Sequence, residues 1–317
     1  LNTKTQHIAD DLFLIPLTPP IKGFNDFISA WLYRGSTTCL IDVGPAACAP
    51  ELLRALRELK VRRLDAILLT HIHLDHAGAI GEIAEAFPRT PIICHQAAIS
   101  HLVEPSRLWE GTKKVLGSMA LSYGPIKPVS KNQLQVADRF QTESIMPIIT
   151  PGHAAHHVSY QTEKYLFAGE TGGVFISLPK DQFYLRPATP PKFFLGKALK
   201  SVDALIACRP QTICYGHFGV HPDAVEMLHI HRRQLQFWEQ LLRKVANKFA
   251  EANRISGCLE QLLREDKLMA TFDQLPTDIQ AREKYFLQNS ITGYLGYLSS
   301  EDRGRRTEDR GKRKENR

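Results

Sequence analysis

Within six residues, His71-Ile72-His73-Leu74-Asp75-His76 sets three imidazoles and one carboxylate, and no other stretch constrains the fold as tightly. In a chain of 317 residues with 13 His, such a pattern arises by chance about once in a thousand sequences of this composition. It follows Leu64-Asp65-Ala66-Ile67-Leu68-Leu69, an apolar run of strand length, and precedes a helix-like stretch from Ala77 to Phe87. A strand opening into a polar loop aims His71 and His73 the same way, because side chains alternate along extended backbone. Asp75 and His76 then sit on the turn and face a neighbouring point. That arrangement suits two adjacent metal ions better than one.

The rest of the chain repeats one device: a short β-rich run ends in a residue able to bind metal or support a ligand. Thr38 to Ile41 ends in Asp42-Val43-Gly44, and Met146 to Ile149 ends in Thr150-Pro151-Gly152-His153. Lys164 to Gly169 ends in Glu170, and Gln211 to Gly216 ends in His217. Layered α/β proteins build their sites at the C-terminal ends of buried strands, so these ends are expected to share one rim. Between them, helical spacing predicts helices over 50–59, 97–123 in two pieces broken at Pro105, 196–207, 222–252, 255–269 and 277–289.

Composition narrows the class. The chain is long enough for a large core, and no apolar run approaches the roughly 18 residues of a membrane span. Six Cys are scattered without Cys-x-x-Cys pairs, which indicates neither a disulfide framework nor a zinc ribbon. With no secretory pattern at Leu1 to Gln6, the cytoplasm is the expected compartment. The net charge of +7 divides unevenly: residues 301–317 carry eight Lys/Arg and five Asp/Glu, leaving only +4 on the body. That tail has no apolar residue to bury, so 299–317 is expected to be a disordered charged segment.

His71-x-His73-x-Asp75-His76, Pro151-Gly152-His153, Gly169-Glu170 and Gly216-His217, with Asp42-Val43-Gly44 before them, resemble the metal-binding series of metallo-β-lactamase superfamily hydrolases, in their glyoxalase II-like branch. The resemblance implies an α/β fold, an αββα four-layer sandwich of two mixed β-sheets flanked by helices, with a helical C-terminal extension. Residues 1–221 would form the catalytic domain and 222–298 the extension packed on it. It further implies that His71, His73 and His153 hold one metal, and Asp75, His76 and His217 the other. The position of Glu170 normally carries an aspartate that bridges both ions, so the pattern departs there by one methylene. Asp42 and His157 are expected as supporting groups, and His156 as plain surface. His95 and His221 are expected near the site.

Imidazoles with a few carboxylates suit zinc first and also accept iron or manganese. Two such divalent ions would generate a hydroxide nucleophile near pH 7, with Asp75 holding a metal and orienting the nucleophile's proton. The expected function is metal-dependent hydrolysis of an ester, thioester or lactone bond in a small molecule. Three alternatives share the motifs: phosphodiester or nucleic-acid hydrolysis, a mono-iron persulfide dioxygenase, and a non-catalytic metabolite-binding member. The modest body charge and the lack of a large insert between His153 and His217 argue against nucleic acid. No membrane partner is expected, and a homodimer is left open.

Overall fold

The computed structural model describes residues 5–140, 142 and 144–315, with side chains described only as far as Glu301. Strands β1 (Gln6–Ala9), β2 (Leu12–Leu17), β3 (Ile28–Arg34), β4 (Thr38–Ile41), β5 (Ala66–Leu68), β6 (Ile92–Cys94) and β7 (Leu134–Val136) form one sheet in sequence order. It is mixed: β1 to β4 are antiparallel, and β4 to β7 are parallel. The chain then supplies β8 (Met146–Ile149), β9 (Val158–Gln161), β10 (Tyr165–Gly169), a hairpin of β11 (Val174–Ser177) and β12 (Phe183–Arg186), then β13 (Thr212–Tyr215) and β14 (Val220–His221). Order β14-β13-β10-β9-β8 gives the second mixed sheet, in which β10 and β13 pair in parallel.

Period-two alternation gives each strand two faces, and on the central strands β2, β3 and β10 both are buried, so each sheet is covered on both sides there. On β2, Leu12 and Leu14 face the second sheet, whereas Phe13, Ile15 and Leu17 face helices. On β3, Trp31 and Tyr33 point inward between the sheets, and Ile28, Ala30 and Leu32 point out to the first helical layer. On β10, Phe167 meets the inter-sheet core, and Leu166 and Ala168 meet the second helical layer. The result is helices, sheet, sheet, helices: the expected αββα sandwich. Each fully buried Leu, Ile or Phe in these layers contributes about 1.5–3 kcal/mol.

Side-chain hydrogen bonds cross the sandwich where the strands end. Trp31 Nε1 donates to Tyr215 O at 3.0 Å, and Ser29 Oγ donates to His217 O at 2.8 Å. Tyr160 OH donates to Leu69 O at 3.0 Å. These bonds tie the carboxyl ends of β5 and β13 to the opposite sheet, fixing the two loops that carry His71 and His217.

The second helical layer contains Leu195–Ala207, Ala224–Val245 and Arg254–Glu265, followed by the last helix, Thr277–Glu315. Asp223 caps Ala224–Val245 by accepting from Glu226 N at 3.1 Å, and Leu228, Leu235, Trp238 and Leu242 lie along its buried stripe. Tyr294 OH donates to Leu235 O at 3.0 Å, joining the last helix to that stripe. The helices beyond residue 222 therefore share one core with β10 and β13. Among the described residues, no helix is long and apolar enough to cross a membrane.

The elements depart from the sequence reading in four places. The segment expected as two helices over 97–123 forms three, Ile99–Val103, Ser106–Leu116 and Ser118–Tyr123, because Gly117 takes φ +56° and breaks the chain a second time. The helix expected over 222–252 ends at Val245, and the one expected over 255–269 ends at Glu265. The last helix does not stop at 289. Gly293 lies inside it, where any Cβ would collide with Pro190 O, so this glycine marks close packing against the proline-rich loop. At Glu301 the helix is still held by Arg243, at 2.9 Å. Of the tail expected to be disordered over 299–317, side chains beyond residue 301 and the whole of 316–317 lie outside the described residues.

Candidate metal centre

The strand ends deliver their polar groups to one edge of the sandwich. His71 and His73 follow β5, Asp75 and His76 occupy the short helix Leu74–Ala77, His153 follows β8, Glu170 follows β10 and His217 follows β13. Two donor sets result: His71, His73, His153 and Glu170, and beside them Asp75, His76 and His217. Within each set the nearest donor atoms all lie within 4.8 Å of one another. His73 Nδ1 stands 3.0 Å from His71 Nε2 and 2.9 Å from His153 Nε2. Glu170 spans both sets, with Oε2 2.5 Å from His153 Nε2 and Oε1 2.6 Å from His217 Nε2.

Second-nitrogen contacts fix which atoms face inward. His71 Nδ1 lies 3.0 Å from Thr70 Oγ1, which donates its own proton to Asp42 Oδ2 at 2.8 Å, so the imidazole is the donor to Thr70. His76 Nδ1 donates to the same Asp42 oxygen at 2.9 Å, and His153 Nδ1 donates to Ala188 O at 2.8 Å. With Nδ1 carrying a proton in all three, Nε2 is the atom that each ring turns toward the cluster and would offer a metal ion once any proton on it is displaced. His76 Nε2 is buried and has no hydrogen-bond partner, with Asp75 Oδ2 4.0 Å away, an orphan that a cation between the two would satisfy. The donor set and this orphan fit divalent metal, with imidazole and carboxylate matching zinc, iron or manganese chemistry.

Backbone geometry makes the Glu170 placement possible. Gly169 has φ +56°, and a Cβ there would run into the His157 ring, so only glycine passes. At Gly216, a Cβ would come 2.7 Å from the Gly169 carbonyl carbon, so the ends of β10 and β13 touch backbone to backbone. His157 Nε2 accepts from Glu170 N at 3.1 Å, and His157 Nδ1 stands 2.8 Å from Thr150 Oγ1. His157 thus supports the Glu170 backbone. Asp42, also at positive φ (56°), accepts from Thr70 N at 2.7 Å and holds the loop that begins the motif.

Burial dominates the protonation of this cluster. It drives the His71, His73 and His157 imidazoles well below the usual range, reinforced by their neighbouring imidazoles. Burial opposes the charge on His76 too, but the Asp75 and Asp42 carboxylates outweigh it and lift the group to about 9. For Glu170, burial favours the acid form, and His153 and His217 overcome it, holding the carboxyl well below its ordinary value.

The structure corrects some expectations and adds residues that spacing did not reveal. His156, expected as plain surface, is partly buried, stacks toward His71 at a centroid distance of 6.3 Å, and is pushed down to about 4 by burial. His95 caps a turn by accepting from Ala97 N, and His221 packs against the Phe175 and Phe183 rings. Thr70, Thr150 and Phe27 enter the site's support. Phe27 stacks on His217 at 4.2 Å with 15° between the planes. Thr70 sits directly before the motif and could have been suspected, whereas Phe27 carries no local signal. A narrow cleft, partly open to solvent, lies beside His153 and Glu170, with Thr171, Ala188, Phe193 and His231 among its walls.

Comparison with known proteins agrees with this fold. A protein of Sulfurisphaera tokodaii described as metallo-beta-lactamase fold-containing is 27% identical over 174 residues, covering 52% of this chain and 64% of that protein. A hydroxyacylglutathione hydrolase of Klebsiella pneumoniae is 30% identical over 156 residues, covering 48% of this chain and 49% of that protein. The chain thus spans less than two thirds of the length of these curated relatives. Among solved structures, an archaeal metallo-beta-lactamase superfamily protein from Sulfolobus tokodaii superposes with a TM-score of 0.66 at 20% identity, covering 90% of this chain and 99% of that one. A metallo-beta-lactamase family protein from Thermus thermophilus gives 0.63 at 20% identity, with 93% and 95% covered. The sequence profile of the Metallo-beta-lactamase superfamily matches residues 23–217, well over half of the chain and all of the donor cluster, and the chain belongs to that superfamily.

Proposed function

We propose that the protein is a metal-dependent hydrolase that cleaves an acyl bond, a thioester before an ester or lactone, in a small molecule. The observation that carries this reading is Glu170 standing between two complete donor sets, with one oxygen toward each. Two bound divalent ions, zinc first, would supply an activated water and polarise the scissile carbonyl. His71, His73, His153 and Glu170 would hold one ion, and Asp75, His76, His217 and Glu170 the other.

Asp75 is the more exposed of the two cluster carboxylates, with 16% of its side chain accessible against 7% for Glu170. It is therefore the group placed to take the attacking water's proton and to return it to a leaving group. An amine or alkoxide needs that proton as it departs, whereas a thiol of pKa about 8.5 can leave as thiolate without it. That chemistry favours thioesters, in line with the hydroxyacylglutathione hydrolases among the relatives. Phe193 and the cleft beside His153 offer an apolar wall for the acyl group.

The test is a panel of acyl-thioesters, lactones, simple esters and phosphodiesters, assayed with zinc-loaded and chelated protein. Thioester turnover that vanishes with chelation and returns with zinc is the expected outcome. Faster cleavage of phosphodiesters than of every acyl substrate, or turnover indifferent to chelation, would overturn the reading.

A further inference from the structure

We propose that Phe27 is the positioning residue for His217, and that Arg282 on the last helix holds Phe27 in place. Docking of that helix then governs the Asp75, His76 and His217 set. The inference rests on the reading of His217 as a metal donor.

His217 is held unlike its neighbours. His71, His76 and His153 each have the second ring nitrogen fixed by a hydrogen bond, the usual way in which a ligating imidazole is oriented. His217 Nδ1 is buried with no partner, so the ring's one hydrogen bond is the Nε2 contact to Glu170 Oε1 at 2.6 Å within the cluster, and no hydrogen bond fixes it from outside. Its orientation comes from stacking: Phe27 lies nearly parallel to it, 4.2 Å away, and Ser29 Oγ anchors its carbonyl at 2.8 Å. The Arg282 guanidinium sits 3.8 Å from the Phe27 centroid. Two groups that close cannot share one face, so Phe27 is sandwiched between the imidazole and the cation.

Arg282 is itself fixed. Its Nη1 donates to Gly23 O at 2.7 Å, and its Nε donates at 3.0 Å to Glu283 Oε1, a fully buried carboxylate that also pairs with Arg186 on β12. A Cβ on Gly23 would lie 2.5 Å from Asp278 O, so the loop before Phe27 is pressed against the first turn of the last helix. The path from helix to metal donor is therefore continuous: Arg282, Phe27, His217. Because linkage is reciprocal, an ion at the second position should in turn stabilise the docked helix.

The experiment is Co²⁺ titration of the full chain, followed by visible absorption and equilibrium metal affinity, with hydrogen exchange read over residues 277–298. Phe27→Leu should weaken the second equivalent 10–100-fold, the usual scale for losing a ligand's support, and leave the first unchanged. Phe27→Tyr, which restores a ring, should return it toward wild type, and Arg282→Met should give an intermediate loss. In wild type, the second equivalent should slow exchange in 277–298; in Phe27→Leu that protection should disappear. The unchanged first equivalent also shows that the variant is folded, and Arg282→Met serves if Phe27→Leu does not fold. If His217→Ala loses the second equivalent but Phe27→Leu and Arg282→Met bind as wild type, the inference falls while the metal reading stands. Equal weakening of both equivalents in Phe27→Leu and Arg282→Met would also overturn it, since the ring would then serve the fold alone. If His217→Ala still binds two equivalents as wild type does, the metal reading fails and takes the inference with it.

Discussion

Asp42 Oδ2 lies 2.9 Å from His76 Nδ1, and through Thr70 Oγ1 the same oxygen also governs His71, so one carboxylate orients an imidazole in each donor set. Asp42 holds this position at φ 56°, a left-handed conformation that costs a non-glycine residue roughly 1–2 kcal/mol. Asn tolerates that backbone, so Asp42→Asn isolates the hydrogen bonding from the strain. The amide offers one acceptor oxygen where the carboxylate offers two. We expect a 10–100-fold loss in affinity for both metal equivalents, measured by competition with a chelating dye. Unchanged affinity for both would show that the imidazoles are oriented without Asp42.

Metal removal has its own expected result. Zinc analysis of purified protein should give close to two ions per chain, and chelation should lower the melting temperature. A ligand at a hundred times its Kd stabilises by about 2.7 kcal/mol, roughly 4 °C for a chain of this size. The transition should recover on adding zinc back. A chain that melts identically with and without chelator would contradict a folded-state metal centre.

Away from the donors, His231 predicts a pH dependence. Burial on the Ala224–Val245 helix pushes its imidazole from 6.5 down to about 4. A depressed folded value means that the unfolded chain takes up the proton first. The stabilising contribution is therefore complete above 6.5 and is lost as pH falls toward 4, at most about 3 kcal/mol. His231→Leu removes the titration, so urea unfolding free energies between pH 7 and 4 should fall less steeply than in wild type. Parallel curves for the two proteins would show that His231 is not buried in its neutral form.

The rim of the sandwich was legible because each of its donors follows an apolar run in the sequence: His71 after Leu69, His153 after Ile149, Glu170 after Gly169. Spacing along the chain carries that information. What supports the donors was less legible, because it comes from across the fold. Ser29 meets the His217 carbonyl across 188 positions of sequence, and Phe27 meets the His217 ring, with no periodicity linking them. Strands β2 and β3 were passed over for a related reason. Buried on both faces, they lack the terminal donor that marks β4, β5, β8, β10 and β13 in the sequence. His156 looked like surface beside His157, yet in a non-helical loop adjacent side chains can both turn inward. The last helix was read as ending before Gly293, a residue that in the fold is required by contact with Pro190.

Glu170 offers the sharpest test, because its length is matched to its surroundings. Its backbone cannot shift toward the metals: Gly169 is locked at φ 56° against His157, and His157 Nε2 holds Glu170 N at 3.1 Å. From that fixed point the carboxylate reaches His153 Nε2 at 2.5 Å with one oxygen and His217 Nε2 at 2.6 Å with the other. An aspartate, shorter by about one C–C bond of 1.5 Å, cannot span the same gap from the same backbone. Glu170→Ala should keep the first equivalent, which retains three imidazoles, and lose most of the second. Glu170→Asp should also keep the first and weaken the second at least tenfold, about 1.4 kcal/mol. Both are read by metal titration, with thioester turnover as a separate measurement. If Glu170→Ala binds two equivalents as tightly as wild type, Glu170 is not shared between the sets. If Glu170→Asp alone matches wild type, the backbone around Gly169 is more yielding than its contacts imply.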